Sequence, residues 1–218
     1  MKIEIKGLQK RYGKQQVLRD ISFTAESGCC IGILGCNGSG KSTLLQILAG
    51  VLKPDAGSFT GDDKNLWKCP DAVGYIPQGT PLLEELSAWD NLRLWYPKSQ
   101  LEAELQGGVL QLLGIGEFLK KPVHTLSGGM KKRLSIGCAV AGRPPILLLD
   151  EPTAALDLPC KQQIRRYLET YKRAGGILLL TTHDVSELAL CDRLYILRDG
   201  RLLPYAYDGD PDKLAEML

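Results

Sequence analysis

The sequence has no apolar run approaching the about 18 residues that a membrane-spanning helix requires, so the chain is not expected to cross a bilayer by itself. None of its seven cysteines stands at C-x-x-C spacing, and their number is odd. Both features argue against a metal ribbon or a complete disulfide framework, and for reduced thiols in a cytosolic protein. Charge is nearly balanced: 27 basic and 25 acidic residues leave a net +2, which gives no electrostatic case for nucleic acid as a partner. The chain has no heptad insertion, internal repeat or low-complexity tract, and only two histidines. Met1 to Lys6 alternate like a strand and do not read as a signal peptide. What is present is ample apolar residue, 44% of 218, enough for one large α/β domain or a domain with a small subdomain.

Against that background one segment is specific. Gly35-Cys36-Asn37-Gly38-Ser39-Gly40-Lys41-Ser42 fits the phosphate loop G-x-x-x-x-G-K-[ST]. Ile31, Ile33 and Leu34 before it read as a strand buried on both faces. Ser42, Thr43 and the residues to Ala49 read as a helix that Gly50 terminates. Gly35, Gly38 and Gly40 let amide N–H groups turn inward, and the helix N-terminus adds a positive dipole end. Lys41 supplies a point charge for β- and γ-phosphates, and Ser42 a hydroxyl for Mg²⁺. The bland alternative, a Gly-rich turn before a structural helix, does not account for the strand–loop–helix context.

A second segment ends in two carboxylates. Ile146 to Leu149 reads as a buried parallel strand, which places Asp150 and Glu151 at the crevice where open α/β sheets bind ligands. Asp150 suits Mg²⁺, and Glu151 suits orienting or deprotonating a water aimed at a γ-phosphate. Taken alone, the pair is equally a solvated cap on the turn at Pro152.

Periodicity organises the rest. Residues 1 to about 35 alternate and turn like an antiparallel sheet, and Gly57 to Asn65 suggests a hairpin. From Thr80 to Gly129 the pattern becomes helical, with candidates at Asp90–Tyr96, Leu101–Leu113 and Gly116–Lys120. Helix and strand then alternate: helix Pro159–Ala174, strand Ile177–Thr181, helix Val185–Leu190, strand Arg193–Leu197, then a hairpin turn at Asp199-Gly200. Lys131-Lys132-Arg133 and Lys161, Arg165 and Arg166 read as solvated helix faces.

Leu126-Ser127-Gly128-Gly129, placed between these two segments, completes an ordered set that resembles the ATP-binding cassette (ABC) ATPases over nearly the whole chain. The resemblance implies a P-loop NTPase core, a mostly parallel sheet with flanking helices, plus an N-terminal antiparallel β subdomain and an inserted helical subdomain. It divides a single domain, 1–218, into a core of 1–79 and 131–218 and a helical signature subdomain of 80–130. It implies that Tyr12 stacks on adenine and that Gln78 touches Mg²⁺ and the attacking water. Ala155-Leu156-Asp157 then corresponds to the loop that crosses the dimer interface, and His183 to the switch histidine at the γ-phosphate. Ser127, Gly128 and Gly129 would cap ATP held by a second subunit, itself or a related one, in a head-to-tail dimer. Hydrolysis of MgATP, using Lys41, Gln78, Glu151 and His183, would then reopen the dimer. His124 receives no role.

The sequence departs from the family pattern twice: Met130 replaces the glutamine that commonly ends the signature, and Cys36 stands where many members have proline. The usual attachment is a membrane-spanning permease docked beside the Gln78 loop, and Leu82 to Trp89 is the candidate lining. The implied location is the cytoplasmic face of the cell membrane. The segment Ser127 to Ser135 resembles exporter signatures, and the short C-terminus lacks the extra domain of many sugar importers, so export is the expected direction. The alternative is a soluble ABC ATPase, such as one serving iron–sulfur cluster assembly.

Overall fold

The computed structural model describes residues 1–182 and 184–218, together with all side chains among them except those of Ser186 and Pro211. In chain order the elements are β1 (Lys2–Tyr12), β2 (Gln15–Glu26), β3 (Cys30–Leu34), α1 (Lys41–Leu48), β4 (Ala56–Gly61), β5 (Lys64–Asn65), β6 (Val73–Ile76), α2 (Ala88–Arg93), α3 (Lys98–Gly107), α4 (Val109–Leu112), α5 (Gly128–Ala139), β7 (Ile146–Asp150), α6 (Leu158–Arg173), β8 (Ile177–Thr181), α7 (Val185–Leu188), β9 (Arg193–Arg198), β10 (Arg201–Tyr205) and α8 (Pro211–Met217). Short 3₁₀ turns fill the links around Leu66–Ala72 and at Ile115–Phe118 and Val123–Thr125.

The strands form two sheets. The first is antiparallel, in order β2-β1-β4-β5, and the second runs β10-β9-β3-β8-β7-β6. In the second sheet β9, β3, β8, β7 and β6 are parallel, and only the edge strand β10 is antiparallel. Composition explains the difference. β3, β7 and β8 are buried at every position, as runs such as Ile146-Leu147-Leu148-Leu149 require of strands covered on both faces. β1 and β2 instead alternate, with Ile3, Ile5, Leu18, Ile21 and Phe23 inward and charged residues outward.

Side-chain alternation in the parallel strands builds two cores, one on each face. Ile31, Ile33, Ile146, Leu148, Ile177 and Leu179 face α1 and the antiparallel sheet. Leu147, Leu149, Leu178 and Leu180 face α5, α6 and the helices between β6 and β7. Each buried Leu or Ile contributes about 1.5–3 kcal/mol, so this central sheet is the rigid frame of the molecule.

The helical stretch differs from its expected segmentation. Leu101–Leu113 is two helices, because the chain leaves helical geometry at Gly108 and the Glu104 carboxylate accepts from Val109 N–H at 2.8 Å to start α4. Gly116–Lys120 contributes only a 3₁₀ turn. α7 stops at Leu188 rather than Leu190, since Leu190 and Cys191 N–H donate to carbonyls three residues back. The expected solvated face at Lys131-Lys132-Arg133 is overturned: Lys132 and Arg133 are buried. Arg133 Nη1 donates to Leu113 O at 3.0 Å and Gln163 Oε1 at 2.7 Å, and its guanidinium lies over Phe118. A cation can enter a core when backbone carbonyls and an aromatic face replace its water.

Candidate functional site

The parallel sheet sets the site, because the carboxyl ends of β3, β6, β7 and β8 share one edge. β3 ends at Leu34 and the glycine-rich loop follows at once, leading into α1 at Lys41. Gly40, at the N-cap of α1, has φ +107°, and a Cβ there would lie 2.8 Å from Val17 Cγ1. Only glycine permits that turn. Gly35 is buried, whereas Cys36, Asn37 and Gly38 are exposed. Ser39, Ser42 and Thr43 are partly buried, and the buried Ser39 hydroxyl has no hydrogen-bond partner among the described residues. A buried hydroxyl without a partner in this loop is a donor that a phosphate oxygen would satisfy.

Lys41 is 6% exposed, and its ammonium donates to Gly35 O at 2.6 Å and Cys36 O at 3.1 Å. The amine thus lies folded into the phosphate loop. Burial pushes its pKa down, and the fields of Glu151 and Asp150 oppose that shift.

β7 delivers the carboxylates. Asp150 is buried and accepts from Thr181 Oγ1 at 2.6 Å, across the β7–β8 register. Glu151 follows in the left-handed region at φ 47°, with its N–H bonded to Thr181 O and Oγ1, each at 3.1 Å. A non-glycine residue there costs about 1–3 kcal/mol, and such strain concentrates at functional positions. Gln78 lies just beyond β6, and its Nε2 donates to Glu151 Oε2 at 3.0 Å. The structure therefore brings Gln78 and Glu151 together, and their neighbour Asp150 acts on Lys41 through its field. His183, two residues past β8 in sequence, lies outside the described residues.

Two groups at this edge were not anticipated. Lys132 donates to Pro77 O at 2.7 Å and Gln78 O at 3.3 Å, tying α5 to the Gln78 loop. Burial brings its pKa down to about 8, against the fields of Asp150, Glu151 and Glu187. It shares a helical face with the apolar Ile136 and Ala139, a spacing too short on its own to outweigh the charge. Glu187 accepts from Thr153 Oγ1 at 2.6 Å and also bonds Thr182; burial raises its pKa while both hydroxyls oppose that shift. It joins the segment after Glu151 to the end of β8.

Ser127, Gly128 and Gly129 do not join this cluster. Ser127 caps α5, its Oγ accepting from Met130 N–H at 3.3 Å, and Ser127 and Gly128 are exposed. Gly129 packs against α6, where an added Cβ would come 2.9 Å from Cys160 Sγ. Asp157 caps α6 through Cys160 N–H at 2.8 Å, so the Ala155–Asp157 loop lies beside the signature. Tyr12, at the end of β1, is exposed with Lys10 Nζ 5.7 Å from its ring. His124 is structural: its N–H donates to Glu84 O at 3.0 Å.

A glycine loop between a buried parallel strand and a helix, with carboxylates at the same end of β7, one strand removed across β8, defines a phosphate-loop nucleotide-binding domain. Comparison with known proteins narrows the class. Residues 18–154 match the family described as ABC transporter. The chain is 32% identical over 210 residues to the linearmycin resistance ATP-binding protein LnrL of Bacillus subtilis, covering 92% of this chain and 68% of that protein. It is 38% identical over 200 residues to the aliphatic sulfonates import ATP-binding protein SsuB of Albidiferax ferrireducens, covering 91% and 71%. The dimeric post-hydrolysis state of the ATP-binding cassette MJ0796 bound to ADP and Pi superposes with a TM-score of 0.81 at 26% identity, covering 95% of this chain and 100% of that one. The chain belongs to the ABC transporter family, as an ATP-binding and ATP-hydrolysing subunit.

Cys36 supplies a test of the loop. It is exposed, and its S–H donates to Leu218 O at 2.6 Å. A bulky thiol adduct confirmed at Cys36 is expected to abolish ATP binding, read by fluorescent-nucleotide titration with Cys36→Ala as the unmodified control. Undiminished binding after complete modification would contradict the placement of phosphate at this loop.

Proposed function

We propose that this chain powers transport through a separate membrane-spanning subunit, by hydrolysing ATP held between two cassettes. The observation that carries the reading is the convergence of Lys41, Gln78, Asp150 and Glu151 on the carboxyl edge of one parallel sheet. The phosphates sit over the amides of Gly35 to Thr43, and Lys41 exchanges its loop carbonyls for β- and γ-phosphate oxygens. Tyr12 offers its exposed ring to adenine. Glu151, held against Gln78, orients the attacking water and takes its proton. His183 contacts the γ-phosphate.

The donor set at this edge fits Mg²⁺. The Ser42 hydroxyl, the Gln78 amide oxygen and the Asp150 carboxylate are hard oxygen ligands, and no cluster of three His, Cys, Asp or Glu side chains forms a cage among the described residues. Such a sparse protein set suits an ion that completes its shell with water and phosphate. When bound, the ion neutralises charge on the β- and γ-phosphates.

Ser127, Gly128 and Gly129, which make no hydrogen bond with their own chain's phosphate loop among the described residues, cap the nucleotide of a second, head-to-tail subunit, either another copy or a related one. Residues 80–130 act as the helical subdomain that moves with this cap, and 1–79 with 131–218 act as the nucleotide-binding core. Loss of the γ-phosphate removes the group bridging the halves, and the dimer reopens. Met130 changes the rim of this interface and leaves the Ser and Gly contacts in place.

The membrane partner docks beside the Gln78 loop. There an open groove is lined by Tyr75, Pro81, Leu82 and Trp95. Leu82 and the 53% exposed Leu83 come from the expected Leu82–Trp89 run, Trp89 packs partly buried on the helical core, and Leu94 and Trp95, 60% and 63% exposed, extend the surface beyond that run. No helix among the described residues is long and apolar enough to cross a membrane. In this reading the chain sits at the cytoplasmic face of the cell membrane through this partner. Export is the direction we favour, on the signature segment and on the resistance function printed for LnrL, although SsuB is named for import.

Two outcomes follow. Glu151→Gln is expected to retain ATP binding, lose roughly 100-fold or more in turnover, and form an ATP-stabilised dimer by size-exclusion chromatography with light scattering; undiminished hydrolysis would remove Glu151 from its role. Trp95→Ala is expected to keep ATPase activity but lose flotation with native-host membranes. Unchanged flotation would rule out this groove as the docking face.

A further inference from the structure

The parallel pair β3–β9 begins beside two thiols. Cys30 opens β3 and is fully buried. Cys191 is half-buried and precedes Asp192, whose N–H donates to Cys30 O at 2.8 Å and whose carboxylate accepts from Cys30 N–H at 2.7 Å. These two bonds hold the segments side by side. Cys30 S–H donates to Cys191 Sγ across 3.8 Å, and Cys191 S–H donates to Glu187 O at 3.7 Å.

The sulfurs, 3.8 Å apart, are already in contact, and a disulfide requires them to close to about 2.05 Å. Cys29 is no competitor. It belongs to the core on the opposite sheet face, and Arg193 Nη2 lies 3.6 Å from its sulfur. Cys30 and Cys191 share the other face, and Cys191 also lines an open groove with Tyr195, Tyr205 and Tyr207. One sulfur is thus reachable from solvent and the other is sheltered directly behind it.

We infer that Cys30 and Cys191 form a reversible dithiol–disulfide pair that a peroxide oxidises. The Cys191 thiol loses its proton and the thiolate attacks an oxygen of hydrogen peroxide; the O–O bond breaks, and the departing hydroxide takes up that proton as water, leaving a sulfenic acid on Cys191. Cys30 sulfur then attacks Cys191 sulfur, the S–O bond breaks, and the Cys30 proton departs with the hydroxyl as a second water. Two thiols and one peroxide give one disulfide and two waters. The hydrogen bond to Cys191 and burial raise the Cys30 pKa, so Cys30 keeps its proton while Cys191 reacts first and gives it up only as the hydroxyl leaves. The link would close a sequence separation of 161 residues and fasten the start of the phosphate-loop strand to the turn after α7. This inference is independent of the transport reading.

The full chain, reduced and then exposed to hydrogen peroxide under native conditions, would be alkylated and digested without reduction. A peptide joining Cys30 to Cys191 is expected, lost on adding dithiothreitol, together with a reversible rise of several degrees in Tm. The link should persist in Cys29→Ala and vanish in Cys191→Ser. The inference is overturned if Cys191 oxidises while Cys30 remains alkylatable. It is equally overturned if the cross-link disappears in Cys29→Ala.

Discussion

Charge balance at the carboxyl edge of the parallel sheet is the constraint on which the rest depends. Lys41, Lys132 and Asp150 are buried there, with Glu151 and Glu187 beside them. Buried charges persist only when partners replace their water. The two amines rest on backbone carbonyls of the glycine loop and the Gln78 loop, and the carboxylates oppose the effect of burial on both. The central strands are accordingly apolar until their last residue: β7 is four aliphatic side chains and then Asp150. The frame excludes water on both faces so that a few groups at its rim meet phosphate in a low dielectric.

Polar contacts join the segments along the same rim. Lys132 joins the signature helix to the Gln78 loop, Gln78 joins that loop to Glu151, and Glu187 joins Thr153 to Thr182 beside the switch position. Each link is a short polar contact on a rigid element. A change in what the phosphate loop holds therefore has a physical route to the signature and to the groove under Trp95. That route is a structural connection; coupling along it is what mutagenesis would measure.

The frame was legible in the sequence because its signals are local. A run such as Ile177-Leu178-Leu179-Leu180 has no reading but a doubly covered strand, and the glycine loop dictates its own turn. Positions that depend on packing were not legible. Lys132 and Arg133 read as solvent-facing by residue type, yet α5 is wedged between the sheet and the helical stretch, and carbonyls and Phe118 receive them. Trp89 is partly buried on the core because it lies in the first turn of α2, which Ser87 caps, while Trp95 falls after the helix ends and is exposed. The split at Gly108 depends on Glu104 reaching Val109, a contact invisible to periodicity.

Whether two chains complete one site can be read by complementation. Lys41→Ala removes the phosphate contact and Ser127→Arg blocks the cap, so each variant alone should be inactive. If the chain pairs head-to-tail with its own copy, mixing the two variants creates dimers with one intact site, and a measurable share of ATPase activity returns. No recovery with the mixture, while a tandem fusion of the same two variants is also silent, would contradict a site shared between two copies of this chain.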